Sequence, residues 1–186
     1  MSIQQVYEHG EEKMVSALNA LHKEFSGVRT GRASTSLLDG IRVEYYGSHI
    51  PLNQAATLSV PEPRLIIVQP WDINLTSEIE KAIRSSELGL NPANDGRIIR
   101  IPIPQLNEER RKQLVKLVKH MAEECRISIR NARREGMETL KRLEKEKEIA
   151  EDDHHKAQAH IQKLHDEYIK QIDQALEQKE SEIMEV

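Results

Sequence analysis

Four arginines stand within nine residues of one stretch of the chain, and they are its most informative chemistry. The stretch runs from Arg126 to Glu135 and reads RISIRNARRE. A guanidinium group is planar and donates parallel hydrogen bonds, which suits the oxygens of a phosphate group. On a helix with roughly 100° between residues, the basic side chains here fall opposite Ala132 and Cys125. These outward cations are Lys112, Lys116, Lys119, Arg126, Arg130, Arg133, Arg134 and Lys141.

Two interpretations of this basic stripe remain open. Charge runs on helices are often solvated faces held by salt bridges, and Glu123 interrupts the stripe. Arginine in place of lysine favours phosphate binding, however. The whole chain has 1 Phe, 1 Trp and 4 Tyr, so it offers no row of aromatic rings on which unpaired bases could stack. The stripe therefore predicts binding of structured RNA through its backbone and shape. The predicted contacts are Arg126, Arg130, Arg133 and Arg134.

Other residues with catalytic or metal-binding potential lack the necessary spacing. Four histidines crowd one segment, but steps of five residues do not align on a helix and no zinc-ligand spacing appears. Asp152 and Asp153 fit the start of a helix, where the dipole favours negative charge. Trp71 is expected to cap a small core. We therefore expect no catalytic residue, no metal site and no cofactor. The four histidines are His154, His155, His160 and His165.

Charge and composition define the class of protein. With 186 residues and 38% hydrophobic content, the chain can build one ordinary domain or two small ones. It has no apolar run long enough for a membrane span and no leader pattern, so we expect a cytoplasmic protein. The single cysteine, Cys125, agrees with a reducing compartment and is expected in the core. Residues 106–149 carry 13 Lys and Arg against 9 Asp and Glu, whereas residues 150–186 carry 4 against 10.

Three long segments have the apolar period of amphipathic helices. They run from Ile3 to about Gly27 or Arg29, from about 107 to 147, and from about Asp152 onward. None can bury its apolar stripe alone, so an elongated antiparallel three-helix bundle is predicted from residues 1–29 and 106–186. A 40-residue helix would extend roughly 60 Å.

In residues 30–105 Gly and Pro become frequent and the apolar residues cluster in short β-branched runs. This pattern predicts a small inserted β-rich domain and hence an α+β protein. Strands are expected at 41–46, 57–60, 65–68 and 98–101, with one helix at about 77–87 in a β/α/β, sandwich-like arrangement. Ser77 and Glu80 fit a capping box, and Gly89 fits a C-terminal stop. Pro102 cannot continue a helix or a paired central strand. The two crossings between the domains are predicted to form a hinge.

With these residues read, the chain resembles the bacterial ribosome recycling factor family over its entire length. Small departures, such as Ala150 and the pair His154-His155, touch no expected contact. The stretches that carry the resemblance, in order, are RTGRAS (29–34), LLDG (37–40), VEYYG (43–47), LGLNP (88–92), EERRK (108–112), IRNARR (129–134) and KEIAEDD (147–153).

The resemblance implies an L-shaped, tRNA-like protein that enters the ribosome after termination. It would lie along large-subunit rRNA and, with elongation factor G and its GTP, separate the subunits and release mRNA and tRNA. The implied partners are the large subunit and elongation factor G, with no DNA, no membrane and a monomeric state. Arg130 and Arg133 would be the principal rRNA contacts, with Arg134 and Arg126 supporting. The implied hinge residues are Arg29, Thr30, Gly31, Arg32, Pro102, Ile103, Pro104 and Gln105.

Two other classes of protein compete with this prediction. A coiled-coil adaptor or chaperone cofactor would use the bundle as its functional surface, and it predicts oligomerisation. A small nuclease would need a metal or a general-base cluster next to the basic face, and none lines up in the sequence.

Overall fold

The structure, a computed structural model, describes residues 1–185. The chain separates into two compact units. The bundle domain consists of Met1–Val28 and the described part of Glu109–Val186, and the small domain consists of Arg29–Glu108. The small domain begins one residue before the predicted insert and ends three residues after it. The predicted α+β class, with a bundle of long helices and a small β-rich domain, is confirmed.

No helix among residues 1–185 combines the length and apolar composition needed to cross a bilayer.

The strands all lie in the small domain, together with one of the four α-helices of residues 1–185. In chain order the elements are α1 (Ile3–Ser26), β1 (Arg42–Tyr45), β2 (Ser48–Pro51), β3 (Ala56–Glu62), β4 (Leu65–Pro70), α2 (Thr76–Ser85), β5 (Ala93–Asn94), β6 (Ile99–Pro102), α3 (Glu108–Lys145) and α4 (Glu151–Met184). Short 3-10 helices occupy Thr35–Leu38, Leu52–Gln54 and Ile73–Leu75.

Helices α1, α3 and α4 form the bundle, and both ends of α1 and α3 and the start of α4 lie within three residues of the predicted positions. Helix α1 begins with a capping box, in which the Ser2 hydroxyl accepts from the Gln5 amide and the Gln5 side chain accepts from the Ser2 amide. Helix α3 runs antiparallel to α1, because Cys125 lies beside Ala17 whereas Glu135 lies beside Lys13. Buried Cys125 donates to the Ala17 carbonyl at 3.4 Å, as expected for a core position.

One isoleucine of α4 packs against a glycine of each of the other two bundle helices. Ile161 of α4 is fully buried, and it packs in a cluster with Val6, Leu140, Leu143 and Ala157. A Cβ added at Gly136 of α3 would lie 3.4 Å from Ile161 Cδ1, and one added at Gly10 of α1 would lie 3.8 Å away. Both glycines thus leave room for the isoleucine, which explains why residues of poor helix propensity are tolerated inside two long helices.

The turn between α3 and α4 closes with backbone hydrogen bonds. The Glu148 amide donates to the Leu143 carbonyl and the Lys147 amide donates to the Glu144 carbonyl, both at 2.9 Å. This pair of bonds is a Schellman motif, whose left-handed position is usually glycine. Lys147 occupies that position with φ 58°. The turn therefore holds a lysine in a backbone conformation that L-residues adopt at a cost.

The small domain contains two antiparallel sheets. Strands β1 and β2 form a hairpin whose turn residues, Tyr46 and Gly47, have φ 47° and 83°. The other strands pair in the order β3-β4-β6-β5, and the β3–β4 pairing is irregular between Ser59 and Glu62. Helix α2 contributes Ile79 to the shared core. The fully buried residues of this core are Val43, Ile66, Val68, Ile79, Ile83, Ile99 and Ile101.

The residues predicted to cap the two ends of α2 are wrong. No side chain caps the helix at Ser77, because α2 continues directly from the 3-10 helix Ile73–Leu75. The cap belongs to that 3-10 helix, where the Asp72 carboxylate accepts from the Asn74 amide at 2.9 Å. At the other end α2 stops at Ser85, and Gly89, with φ 67°, lies in the loop that follows.

Pro102 is the last residue of a paired interior strand, so the prediction that it could not continue such a strand is wrong. It is the last residue of β6, an interior strand, and it lies opposite Leu65 of β4. The missing proline amide costs little at a strand end, where the ladder is already finishing. The next amide, that of Ile103, still donates to the Arg64 carbonyl at 2.8 Å.

Candidate RNA-binding surface

The four arginines predicted to contact RNA lie on one side of helix α3. Two of them face solvent and the other two reach α4. Ala132 and Gly136 are buried on the opposite side, as the periodicity predicts. Arg130 and Arg134 are exposed, whereas Arg126 and Arg133 are half-buried. We call these four side chains the arginine surface, and their charges are compensated to different extents.

Arg126 is held by carboxylates from two helices. Its Nη2 atom lies 2.7 Å from Asp173 Oδ1 of α4, and its Nη1 atom lies 3.3 Å from Glu123 Oε2. Its side chain is 20% exposed. Burial lowers the pKa of Arg126, but hydrogen bonds and charge from Asp173 and Glu123 outweigh burial and raise that pKa above its ordinary value. Arg126 therefore connects α3 to α4, whereas the sequence predicted an open guanidinium.

Arg130 shares Glu123 with Arg126. Its Nη1 atom lies 2.8 Å from Glu123 Oε1, and 45% of its side chain is exposed. The hydrogen bond from Arg130 is the main reason that the pKa of Glu123 lies below its ordinary value, and Arg126 adds to the effect. One carboxylate thus serves two guanidinium groups, so Arg130 has donor atoms left over for a second acceptor.

Arg133 is bonded to an amide, whereas Arg126 and Arg130 are bonded to carboxylates. Its Nη1 atom donates to Gln162 Oε1 of α4 at 3.0 Å, and its buried Nε atom has no hydrogen-bond partner. Gln162 in turn donates to Asp166 Oδ1 at 2.9 Å, and His165 Nδ1 bonds the same oxygen at 2.9 Å. The His165 bond, with the Gln162 bond second, holds the pKa of Asp166 below its ordinary value.

Arg134 and Lys141 complete the region of uncompensated positive charge. Both are exposed, and neither forms a hydrogen bond or an ion pair with any residue of the described chain. Together with Arg133 they place three cations on one side of α3 without a bound carboxylate. Such a surface can bind a polyanion without first breaking an ion pair.

Comparison with known proteins identifies the family. The family model described as "Ribosome recycling factor" matches residues 21–184. The ribosome-recycling factor of Rubrobacter xylanophilus is 55% identical over 176 residues, which cover 95% of each chain. That of Desulfatibacillum aliphaticivorans is 54% identical over 180 residues, or 97% of each chain.

This chain belongs to the ribosome recycling factor family. Ribosome recycling factors are translation factors that bind the ribosome and are not enzymes. A solution structure of a ribosome recycling factor covers 100% of this chain and 99% of its own, with a TM-score of 0.81 and 45% identity. A second structure covers 100% of both chains, with a TM-score of 0.68 and 49% identity. It belongs to models of the T. thermophilus ribosome recycling factor and E. coli elongation factor G bound to the E. coli post-termination complex.

The predicted hinge segments of this ribosome recycling factor family member lie in the small domain. The Ala33 amide donates to the Pro63 carbonyl and the Ile103 amide to the Arg64 carbonyl, so one turn anchors both segments. Gly31 has φ 76°, and a Cβ added there would lie 3.3 Å from Leu106 Cγ. The segments line a cavity of about 130 Å³. Its lining includes Arg29, Thr30, Gly31, Arg32, Ile103, Pro104 and Gln105. Movement at these residues remains a prediction.

The histidines of α4 are dispersed among different neighbours. Buried His154 pairs with Glu144 through Nδ1, and its Nε2 atom has no partner. His160 stacks on Tyr7 of α1 with ring centroids 4.0 Å apart. Within residues 1–185 no group of three or more His, Cys, Asp or Glu side chains is arranged to hold a metal ion.

Trp71 does not cap the core of the small domain as predicted. It is 65% exposed, and its indole N–H donates to the Thr57 hydroxyl at 2.8 Å. Two residues that contact the arginine surface, Gln162 and Asp173, were not predicted from the sequence. Both are on α4, and only the register between α3 and α4 shows that they reach the arginines.

Proposed function

We propose that this chain binds the post-termination ribosome through structured large-subunit rRNA. With elongation factor G and its GTP, it then separates the subunits and releases mRNA and tRNA. The chain acts as a monomer in the cytoplasm and does not bind DNA or membranes. Membership of the ribosome recycling factor family supports this proposal, as does the second related structure, which shows its factor together with elongation factor G on a ribosomal complex.

The observation that carries the rRNA proposal is the uncompensated charge of Arg133 and Arg134. Arg133 is oriented by an amide, and Arg134 has no partner within the described residues. These two arginines are therefore the first phosphate contacts. Arg130 joins them by exchanging part of its bond with Glu123 for a phosphate oxygen. Arg126 has a supporting role, because its ion pair with Asp173 fixes the α3–α4 register next to the contact surface.

The proposed mechanism uses the two segments that connect the domains. When the bundle domain is held on the large subunit by arginine contacts, elongation factor G pushes the small domain. Rotation about residues 29–32 and 102–105 converts that push into displacement of contacts between the subunits. The hydrolysed GTP belongs to elongation factor G, so the chain itself needs no catalytic residue.

Filter binding to purified large subunits over a salt series tests the proposal. Arg133→Gln and Arg134→Gln should each weaken binding roughly 10- to 100-fold, the scale of a hydrogen bond to a charged group. Each should also lower the slope of log affinity against log salt by about 0.9, the value for one phosphate contact on duplex DNA.

Arg142→Gln is the matched control. Arg142 is also exposed on α3, but it lines a groove between α1 and α3 on the other side of the helix. Its loss should leave both affinity and slope near the wild-type values. Equal effects of all three variants would contradict the proposed surface, because net charge alone would then explain binding.

A further inference from the structure

Cross-helix pairs between α3 and α4 recur at a regular interval. Lys119 Nζ lies 3.8 Å from Glu180, and Arg126 Nη2 lies 2.7 Å from Asp173. These two rungs are seven residues apart on each helix, which is the repeat expected of helices packed with a heptad period. The same register brings Arg133 opposite Asp166 at the next rung. Each earlier rung is an ion pair, so an Arg133–Asp166 ion pair is expected here.

Gln162 takes the place of that ion pair. Its Oε1 accepts from Arg133 at 3.0 Å while its Nε2 donates to Asp166 at 2.9 Å, so the amide stands between the two charges. His165 Nδ1 bonds the same Asp166 oxygen at 2.9 Å and lies 3.4 Å from the Gln162 Nε2 atom. Arg133 forms no ion pair with any carboxylate of residues 1–185. Its charge acts on Asp166 only as a weaker, longer-range influence.

An amide and a carboxylate hold a guanidinium group with different consequences. Both accept its hydrogen bonds and fix its direction, but only the carboxylate cancels its charge. A phosphate that approaches a paired arginine must displace the carboxylate or share the cation with it. A phosphate that approaches an amide-bound arginine meets a full positive charge, already oriented.

We propose that Gln162 is a positioning residue for RNA binding by Arg133. Its amide holds the guanidinium in place and separates it from Asp166, and His165 bonds the same oxygen of that carboxylate beside the amide. This inference rests on the proposed function, because it concerns the arginine surface. Residues of α4 therefore determine how much of the positive charge of the α3 arginines is available to RNA.

Gln162→Glu tests the inference with a nearly isosteric change. The oxygen that replaces Oε1 lies 3.0 Å from Arg133 Nη1 and forms the ion pair that the wild-type chain lacks, whereas the oxygen that replaces Nε2 faces Asp166 Oδ1 and repels it. Affinity for purified large subunits should fall about five-fold, the scale of a surface ion pair that a ligand must disrupt. The slope of log affinity against log salt should fall by up to about 0.9, as if one phosphate contact were lost. In an Arg133→Gln background, Gln162→Glu should cause no further loss.

Gln174→Glu is the control for the change in net charge. Gln174 is on the same helix, is exposed, and has no hydrogen-bond partner within the described chain. Identical affinity and slope for the two Glu variants would overturn the role of Gln162. A weaker Gln162→Glu variant with an unchanged slope would overturn it too, because the loss would then be structural. Neither result touches the proposed function, which is tested separately by comparing Arg133→Gln and Arg134→Gln with Arg142→Gln.

Gln162→Met separates orientation from charge. Methionine has a similar volume and no hydrogen-bonding amide, so Arg133 loses its orienting contact but gains no carboxylate ligand. Affinity should fall a few-fold, whereas the salt slope should stay at the wild-type value. A slope as low as that of Gln162→Glu would contradict the inference. Thermal unfolding of each variant verifies that the bundle domain is intact.

Discussion

Truncation of Ile161 should cost the bundle domain about 4 kcal/mol, near the upper end of the usual range for isoleucine to alanine. The side chain is fully buried, and the helix surfaces that it meets at Gly10 and Gly136 have no side chains that could move into the space. The cavity left by Ile161→Ala therefore stays open. In a chain of this size the loss corresponds to a decrease in melting temperature of roughly 8 to 16 °C. Far-ultraviolet circular dichroism would measure it.

The single tryptophan provides an internal control for this experiment. Trp71 is in the small domain, so its fluorescence should report a transition that Ile161→Ala leaves unchanged. Gly136→Ala should recover about 2 kcal/mol in the truncated variant, about half from helix propensity and half from the methyl group that fills the cavity. In the wild type the same change should gain at most about 1 kcal/mol from helix propensity, because the methyl group would meet Ile161 Cδ1 at 3.4 Å and would fill no cavity. A loss below 2 kcal/mol, or an equal effect of Gly136→Ala in both backgrounds, would refute the packing argument.

Two further predictions concern backbone conformation. Lys147→Gly should stabilise the bundle domain by about 1 kcal/mol in urea unfolding, because φ 58° is free of strain for glycine. Lys141→Gly, inside α3, should destabilise it by a similar amount, and the same sign for both would contradict the assignment of the turn. Gly31→Pro, which cannot retain φ 76°, should bind large subunits normally but slow subunit dissociation in light scattering. Gly40→Pro, at φ 88° outside the hinge, should leave dissociation unchanged, and equal slowing by both would argue against the hinge.

The sequence predicted the long helices because their apolar period is local and extends over many turns. Both ends of α1 and α3 and the start of α4 lie within three residues of the predicted positions. The small domain was harder to predict, because strand β5 has two residues and exists only through its pairing with β6. The capping box at Ser77 failed for a related reason, since a preceding 3-10 helix already supplies the first turn of α2.

The arginine surface was only partly predictable from the sequence. Helical periodicity placed Arg130 and Arg134 outward, and both are exposed. It could not show that Asp173, 47 residues away along the chain, neutralises Arg126. Nor could it show that Gln162 leaves Arg133 unneutralised. Those differences depend on the axial register of α3 against α4, which packing along the whole interface determines.

The edges of the larger sheet have a consequence for the chain in concentrated solution. A long, regular edge strand offers a row of free amides and carbonyls to which another molecule can add a strand. Here one edge is β5, only two residues long, and the other is β3, which carries Pro61 and an irregular register between Ser59 and Glu62. Neither edge gives a continuous template for growth. The small domain should therefore resist edge-to-edge aggregation during the crowded conditions of synthesis.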